Sequence, residues 1–193
     1  MTNQHDVKEE FKKALTKLFS NDYTLIKRNC SERSIVFRLG LYLANSLIDY
    51  GLDVDCEYNR NIEDLKALPE RDLNYPDLIV HKREECTNNL LIVEVKTDNN
   101  MKREHFQNDI DKLKGFTNDA RYLYKFGVHV YISADSCSLA WYQKEQIPEH
   151  YHYKVDRNTH ALSLVPKNDL QNQDKNAFDN WYMDDFDNIG REL

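Results

Sequence analysis

The sequence has no long apolar segment. No run approaches the roughly 20 residues that a bilayer-spanning helix needs, and residues 1–13 lack the apolar centre of a secretion signal. A membrane protein is therefore not expected, and a cytoplasmic location is predicted. The 193 residues, of which 40% are hydrophobic and 31% charged, suit one compact domain with its own core.

Closely spaced cysteines and histidines are also missing. No two of the four cysteines form a C-x-x-C pair, so the sequence indicates neither a zinc site nor a redox motif nor a disulfide framework. The seven histidines show no H-x-x-x-H pattern, which counts further against zinc. The thiols are expected to be reduced.

An overall positive charge is lacking as well. The formal net charge is -7, which counts against a nucleic-acid binder because phosphates favour a basic surface. Residues 168–193, however, hold seven acidic residues against two basic ones, so this tail contributes -5 and the rest of the chain only -2. Residues 1–38 hold eight Lys or Arg against five Asp or Glu, a local +3. The uneven distribution leaves room for a basic face.

Apolar spacing in the N-terminal part predicts two helices and a strand. The first helix, over about 6–20, begins at a D-x-x-E capping box of Asp6 and Glu9. The second begins at a similar box of Asn29 and Glu32 and ends at Gly51. Residues 52–58 then alternate between apolar and acidic, as in a strand with one solvated face. The polar segment 59–76 is interpreted as a loop with a short helical turn near 62–68.

A hairpin, a helix and another strand are predicted next. Segments 77–81 and 90–96 are apolar runs separated by a charged turn, which indicates an antiparallel hairpin. Residues 101–116 carry a helical apolar stripe, and 128–132 alternate like a strand. Further on, 139–146 suits a helix, and 151–155 and 161–165 suit a pair of strands.

The hairpin carries three residues with the chemistry for phosphodiester hydrolysis. Asp77 opens one strand and Glu94 lies near the end of the other, so antiparallel pairing places both at one end of the hairpin. Lys96 follows two residues after Glu94 and leaves the same face, about 7 Å away. Paired carboxylates suit a hard cation that activates water, and an ammonium beside them stabilises the hydroxide or the phosphorane charge.

The segments Pro76-Asp77 and Glu94-Val95-Lys96 resemble the signature of the PD-(D/E)xK nuclease superfamily, which includes restriction endonucleases and archaeal Holliday-junction resolvases. The predicted order of helix, three strands, helix and strand, over about 31–133, is similar to the core of that superfamily. The resemblance implies a DNA endonuclease that uses Mg²⁺, with Mn²⁺ as a substitute. It also implies that Asp77, Glu94 and the Val95 carbonyl bind the metal and that Lys96 is the catalytic lysine.

Glu32 has two interpretations. Some branches of this superfamily add a glutamate from the helix before the first strand, and Glu32 resembles it. Steps of three and four place Glu32 in line with Val36, Leu39 and Leu43, so it would face the sheet and join the metal ligands. As the last member of the Asn29 capping box, or as an acid in the first helical turn, it is explained equally well by helix stability.

The later helix offers further candidates. Asp109 shares the apolar stripe of that helix, although a charge on the helix surface is its favoured interpretation. Gln107 and Lys112 are neighbours placed to touch a substrate.

The predicted fold is α/β with a restriction-endonuclease-like core, in which a helix, a three-stranded antiparallel meander, a helix and a strand follow one another. An extra N-terminal helix precedes this core. Residues 1–166 are predicted to form a single nuclease-like domain and 167–193 an acidic C-terminal extension. The predicted function is a metal-dependent DNA endonuclease. A catalytically silent nuclease-fold module and an acidic interaction protein remain alternatives, and a homodimer and a protein partner for the extension stay open.

Overall fold

The computed structural model describes residues 4–58, 60–61, 64–65, 75–85, 88–100 and 102–166. In this part of the chain, an α/β fold combines three α-helices with a seven-stranded mixed sheet. The helices are α1 (Gln4–Lys27), α2 (Glu32–Leu47) and α3 (Arg103–Asn118). The strands are β1 (Asp53–Cys56), β2 (Arg60–Asn61), β3 (Asp64–Leu65), β4 (Leu78–His81), β5 (Leu91–Thr97), β6 (Phe126–Ile132), β7 (Ser136–Tyr142), β8 (Glu149–Val155) and β9 (Leu162–Leu164).

The large sheet joins an antiparallel meander to a parallel crossover. Its strand order is β1-β4-β5-β6-β7-β8-β9, so β1 and β9 are its edges among the described residues, while β2 and β3 pair separately. Strand β4 is antiparallel to both β1 and β5. Helix α3 then connects β5 to β6, which run parallel and therefore need a crossover of this kind. Strands β7, β8 and β9 add antiparallel to one another.

Helices cover both faces of the sheet. Helices α1 and α2 pack on one face, in a core that includes Leu91, Val93 and Val95 of β5. Helix α3 packs on the other face, in a core that includes Ile79 and Ile92. Because both faces are covered, the central strands are buried along almost their whole length. A charged or polar side chain within these strands therefore needs a specific partner.

Helix α2 approaches the sheet closely. A Cβ atom at Gly40 would lie 2.8 Å from Leu78 Cδ2 of β4, so a side chain there would require either the Leu78 side chain or the helix to shift. On its other side, α2 is tied to α1 because Arg38 Nε donates a hydrogen bond to Asp22 Oδ2 at 2.8 Å. These contacts fix the position of α2, and with it that of Glu32, relative to the sheet.

Most of the predicted elements are present, with different bounds. Helix α1 continues to Lys27 rather than ending near residue 20, and the helix predicted over 101–116 is α3. The predicted antiparallel hairpin is confirmed as β4 and β5, and the pairing of 151–155 with 161–165 is confirmed as β8 and β9. Apart from the separate pair β2 and β3, which lies between β1 and β4, the elements follow the predicted order of helix, three antiparallel strands, helix and strand.

The helix predicted over 139–146 is wrong, because β7 spans Ser136–Tyr142. Its residues Leu139 and Trp141 belong to the core under α1 and α2, whereas Ala140 and Tyr142 belong to the core under α3. A strand buried on both faces shows no alternation of polar and apolar residues, so its period cannot be read. In the predicted loop 59–76, β2 and β3 form a short antiparallel hairpin, and most of the predicted turn near 62–68 lies outside the described residues.

The predicted acidic extension, 167–193, lies outside the described residues. The domain boundary at 166 therefore stays a prediction, as does the assignment of the sheet to a restriction-endonuclease-like core. Within the described residues, no helix combines the length and the apolar character that crossing a bilayer requires.

Candidate functional site

The candidate site lies where the β4–β5 hairpin meets α3. Leu78 pairs with Val93, so the next step along the hairpin places Asp77 opposite Glu94. Asp77 Oδ2 accepts a hydrogen bond from the Val95 N–H at 2.7 Å. The hairpin therefore brings Asp77 to the segment of β5 that carries the E-x-K tripeptide.

Glu94 and Lys96 of β5 face α3. Strand alternation places both on the side of Ile92, which packs in the core under α3. Glu94 is only 1% exposed, and its Oε2 accepts a hydrogen bond from Lys112 Nζ at 2.8 Å. Its Oε1 has no hydrogen-bond partner among the described residues. A buried carboxylate with one unsatisfied oxygen can still take up a proton or a cation.

Lys96 lies between carboxylates from two helices. Its Nζ is 2.9 Å from Asp109 Oδ2 of α3 and 3.6 Å from Glu32 Oε1 of α2. The same Nζ donates a hydrogen bond to the Val95 carbonyl oxygen at 3.2 Å. The ammonium is thus held near the end of β5 by oxygens from both faces of the sheet.

Glu32 is the first residue of α2, and Ser31 is the N-cap. The predicted capping box is therefore wrong, whereas the alternative of an acid in the first helical turn is confirmed. Asn29 lies before the helix with a left-handed φ of 49°, and a glutamate at the first helical position cannot act as the N3 member of such a box. Glu32 Oε2 instead accepts a hydrogen bond from the Thr97 N–H, at 3.3 Å, at the end of β5. Its side chain thus lies beside Lys96.

Asp109 and Lys112 reach the site from one face of α3. The surface position favoured for Asp109 by the sequence is wrong, because this side chain is buried and contacts Lys96. Lys112 Nζ lies 2.8 Å from Glu94 Oε2 and 3.8 Å from Asp109 Oδ1. Gln107, by contrast, is exposed and donates a hydrogen bond to Asp111.

His129 is a site residue that the sequence does not single out. It lies on β6, next to Glu94 in the parallel register, and it is fully buried. Its Nε2 is 3.7 Å from Asp109 Oδ2, and its ring packs edge-on against Phe106 with 5.1 Å between the ring centroids. The sequence signal for it is a histidine in the middle of an otherwise apolar strand. Such a histidine is buried, and a buried polar side chain needs a polar partner.

The environment disfavours the ionised forms of both motif carboxyls. Burial raises the pKa of Asp77 to about 6, against the opposing effects of Lys96 and the Val95 N–H. Burial, followed by repulsion from Asp77, raises the pKa of Glu94 well above its usual value despite the neighbouring Lys112. A pair of this kind favours a bound cation or proton over two free negative charges.

Among the neighbouring groups, Lys96, Lys112 and Asp109 keep their usual charged forms. Burial opposes the charge of Lys96, but Asp109, Asp77 and Glu32 together raise the pKa of its ammonium. Burial also opposes the charge of Lys112, whose pKa Glu94 nevertheless raises. The pKa of Asp109 is lowered despite its burial, mainly by the adjacent His129 and by the charge of Lys96. Burial lowers the pKa of His129 itself, so this ring is neutral at pH 7.

This electrostatic pattern predicts how the stability of the metal-free protein depends on pH. The pKa of Asp77 is about 6 in the folded chain against its usual 3.8. The contribution of its protonated form to the free energy of unfolding is therefore complete below about pH 4 and is lost as the pH rises through 6. We expect Asp77→Asn to remove the part of the pH-dependent loss of stability that Asp77 causes. Melting temperatures in chelator from pH 4 to 8 are the measurement, with Asp111→Asn on the exposed side of α3 as the control. Identical pH profiles for wild type and Asp77→Asn would contradict the assignment.

The oxygen donors of the site suit a hard cation. Asp77 lies close enough to Glu94 for their charges to interact, and the Val95 carbonyl and Glu32 both contact Lys96. Among the described residues, no group of three or more His, Cys, Asp or Glu side chains is arranged to hold a metal ion. The unsatisfied Glu94 Oε1 nevertheless leaves capacity for a cation, and carboxylate and carbonyl oxygens are the ligands that Mg²⁺ prefers.

Comparisons with known proteins add little to this geometry. No protein-family model matches the chain, and no curated protein matches it. Among solved structures, a chain of the DrdV–DNA complex determined by cryo-electron microscopy is similar, with a TM-score of 0.38 and 12% sequence identity. The similarity covers 84% of this chain and 12% of that chain, so this chain spans only a small part of the DrdV chain. A likeness at this level assigns neither a fold family nor an activity.

Proposed function

We propose that this chain is a metal-dependent endonuclease of the PD-(D/E)xK type, which hydrolyses DNA phosphodiester bonds with Mg²⁺ as its cofactor and Mn²⁺ as a substitute. The observation that carries the proposal is the pair of carboxyl side chains at one end of the β4–β5 hairpin, half-buried Asp77 and fully buried Glu94, whose surroundings disfavour their ionised forms. A divalent cation would neutralise this pair. The charged lysines beside it, Lys96 and Lys112, suit an anionic substrate.

Asp77, Glu94 and the Val95 carbonyl would hold the cation, and Glu32 would complete the ligand set. When bound, the cation supplies charge neutralisation at the phosphate and lowers the pKa of a water molecule. The Val95 carbonyl and Glu32 both contact Lys96, so their participation requires the ammonium to move away from them.

Lys96 is the residue that would act on the nucleophile and the phosphate. Its ammonium is charged and anchored on Asp109, which His129 contacts from β6. Once it has moved away from Glu32 and the Val95 carbonyl, the ammonium would remain beside Asp109 and would stabilise negative charge on the phosphate oxygens. The burial of Glu94 and Asp109 keeps bulk water away and so strengthens these interactions.

DNA is proposed as the substrate because the Pro76-Asp77 and Glu94-Val95-Lys96 segments resemble those of DNA-cutting nucleases. The net charge of -7 does not oppose this, since the acidic excess is concentrated in residues 168–193. Residues 1–38 carry a local +3, and this segment includes α1 and the start of α2. The start of α2 lies at the site, through Glu32, and we propose that basic side chains of this segment contact phosphates beside it.

A catalytically silent module that binds nucleic acid is a second candidate. The observation in its favour is that ion pairs already engage the site, Lys112 with Glu94 and Lys96 with Asp109. A protein without turnover would keep these pairs and would have no need of a metal. Its binding to DNA would then be the same with and without Mg²⁺.

Cleavage of plasmid, branched and single-stranded DNA with Mg²⁺, with Mn²⁺ and with chelator is the test of both candidates. We expect cutting with either cation and none with chelator. Asp77→Asn controls for contaminating nucleases, and Asp111→Asn, an exposed acid on α3, should cut like the wild type. DNA binding without any cutting would establish the silent module instead, and the absence of both binding and cutting would contradict both candidates.

A further inference from the structure

A second lysine contacts the carboxylate that would bind the metal. Lys112 Nζ donates to Glu94 Oε2 at 2.8 Å, and the two side chains are 15% and 1% exposed, so solvent screens this ion pair little. We propose that Lys112 is a built-in counter-ion of the site, which holds Glu94 in place when no metal is bound and competes with the divalent cation for it. This inference rests on the proposed function, because it takes Glu94 as a metal ligand.

The contacts of Glu94 explain the competition. Lys112 occupies Oε2, and Oε1 is the oxygen that has no hydrogen-bond partner among the described residues. A cation bound at Oε1 would lie a few ångströms from the ammonium on the same carboxylate. Two positive charges at that separation, away from bulk water, repel each other strongly. Lys112 therefore weakens cation binding for as long as it remains on Glu94.

Asp109 provides a second position for the ammonium. Lys112 Nζ already lies 3.8 Å from Asp109 Oδ1, whereas Lys96 contacts the other oxygen, Oδ2. A small movement of the flexible lysine side chain towards Asp109 would free Glu94 and still leave the ammonium beside a carboxylate. Lys112 is thus a positioning residue that acts through Glu94, and its position on α3 couples that helix to metal binding.

Mg²⁺ binding to the full chain, measured by titration calorimetry at pH 8, is the test. Lys112→Met and Lys112→Gln remove the charge, and Lys112→Arg keeps it. Lys114→Met is the matched control, because it removes a charge from the same helix at a side chain that lies over the Tyr142 ring. We expect the two neutral variants to bind Mg²⁺ roughly tenfold more tightly or better, from the loss of one nearby like charge. Lys112→Arg and Lys114→Met should bind like the wild type.

Melting temperatures distinguish this competition from a purely structural ion pair. The neutral variants should melt lower than the wild type in chelator and gain more from added Mg²⁺. If they melt lower but bind Mg²⁺ no more tightly than the wild type, Lys112 is only structural and the proposal is overturned. Lys112→Gln, whose amide can still donate to Glu94, keeps the test decisive if Lys112→Met does not fold.

The outcome for the wild type separates this proposal from the proposed function. If the wild type binds Mg²⁺ and the neutral variants bind it equally, only the role of Lys112 is refuted. If the neutral variants bind Mg²⁺ and the wild type does not, the competition is supported in its strongest form. If no form of the chain binds Mg²⁺ at millimolar concentrations, both proposals fail.

Discussion

Glu94→Gln is expected to lower the rate of metal-dependent DNA cleavage by about three orders of magnitude or more, without unfolding the protein. The substitution keeps the shape of the side chain and removes the charge that would bind the cation. Because burial and Asp77 raise the pKa of Glu94 well above its usual value, its ionised form is a net cost to the metal-free fold at pH 8. The melting temperature in chelator should therefore stay level or rise.

Single-turnover cleavage rates over a range of Mg²⁺ concentrations, together with melts in chelator, measure both effects. Glu104→Gln is the matched control, since this glutamate is exposed in the first turn of α3. It should leave the rate and the melting temperature unchanged. A Glu94→Gln variant that cuts at the wild-type rate, or that unfolds in chelator at pH 8, would show that Glu94 serves the fold rather than the reaction.

Lys96→Met is expected to affect both activity and stability. The ammonium that would stabilise the developing phosphate charge is lost, and the loss of one such donor costs about two to three orders of magnitude in rate. The buried Asp109 carboxylate also loses its closest cation, at 2.9 Å. Removing one partner of a buried ion pair costs about 3 kcal/mol of unfolding free energy or more.

A double-mutant cycle separates these two effects. Asp109→Asn in the Lys96→Met background removes the uncompensated carboxylate, so most of the lost unfolding free energy should return while activity stays absent. Denaturant unfolding of both single variants and of the double variant gives the coupling energy. Lys102→Met, an exposed lysine at the start of α3, is the control. Stability losses that simply add in the double variant would show that Lys96 and Asp109 do not act as a pair.

The arrangement on the hairpin could be predicted from sequence because it depends on local rules. The period of a strand places Glu94 and Lys96 on one face, and antiparallel pairing across a short turn places Asp77 opposite Glu94. Both rules involve residues close together along the chain. The apolar stripe of α3 follows from the same kind of periodicity. The predicted bounds of this helix therefore lie within two residues of the observed ones at each end.

The remaining site residues depend on contacts between distant segments, which local periodicity does not contain. Asp109 shares the stripe of α3, but only the packing of α3 over β5 shows that it meets Lys96. His129 becomes a site residue because β6 lies parallel to β5, with His129 next to Glu94. The same limit explains why the capping box predicted at Glu32 is wrong. The Glu32 carboxylate accepts a hydrogen bond from the Thr97 N–H of β5, a residue that is distant in sequence.

Among the described residues, β1 is an edge strand of the sheet, which has a consequence for self-association. Edge strands expose unpaired backbone groups, and proteins protect them with short strands and with charges. Strand β1 spans only four residues and carries Asp53 and Asp55. The Arg83 N–H donates to Asp53 at 3.1 Å, and the Arg83 guanidinium donates to Asp55 at 2.9 Å. A strand from another molecule that paired with β1 would have to desolvate this charged network. The network therefore disfavours amyloid-like addition of strands at the β1 edge.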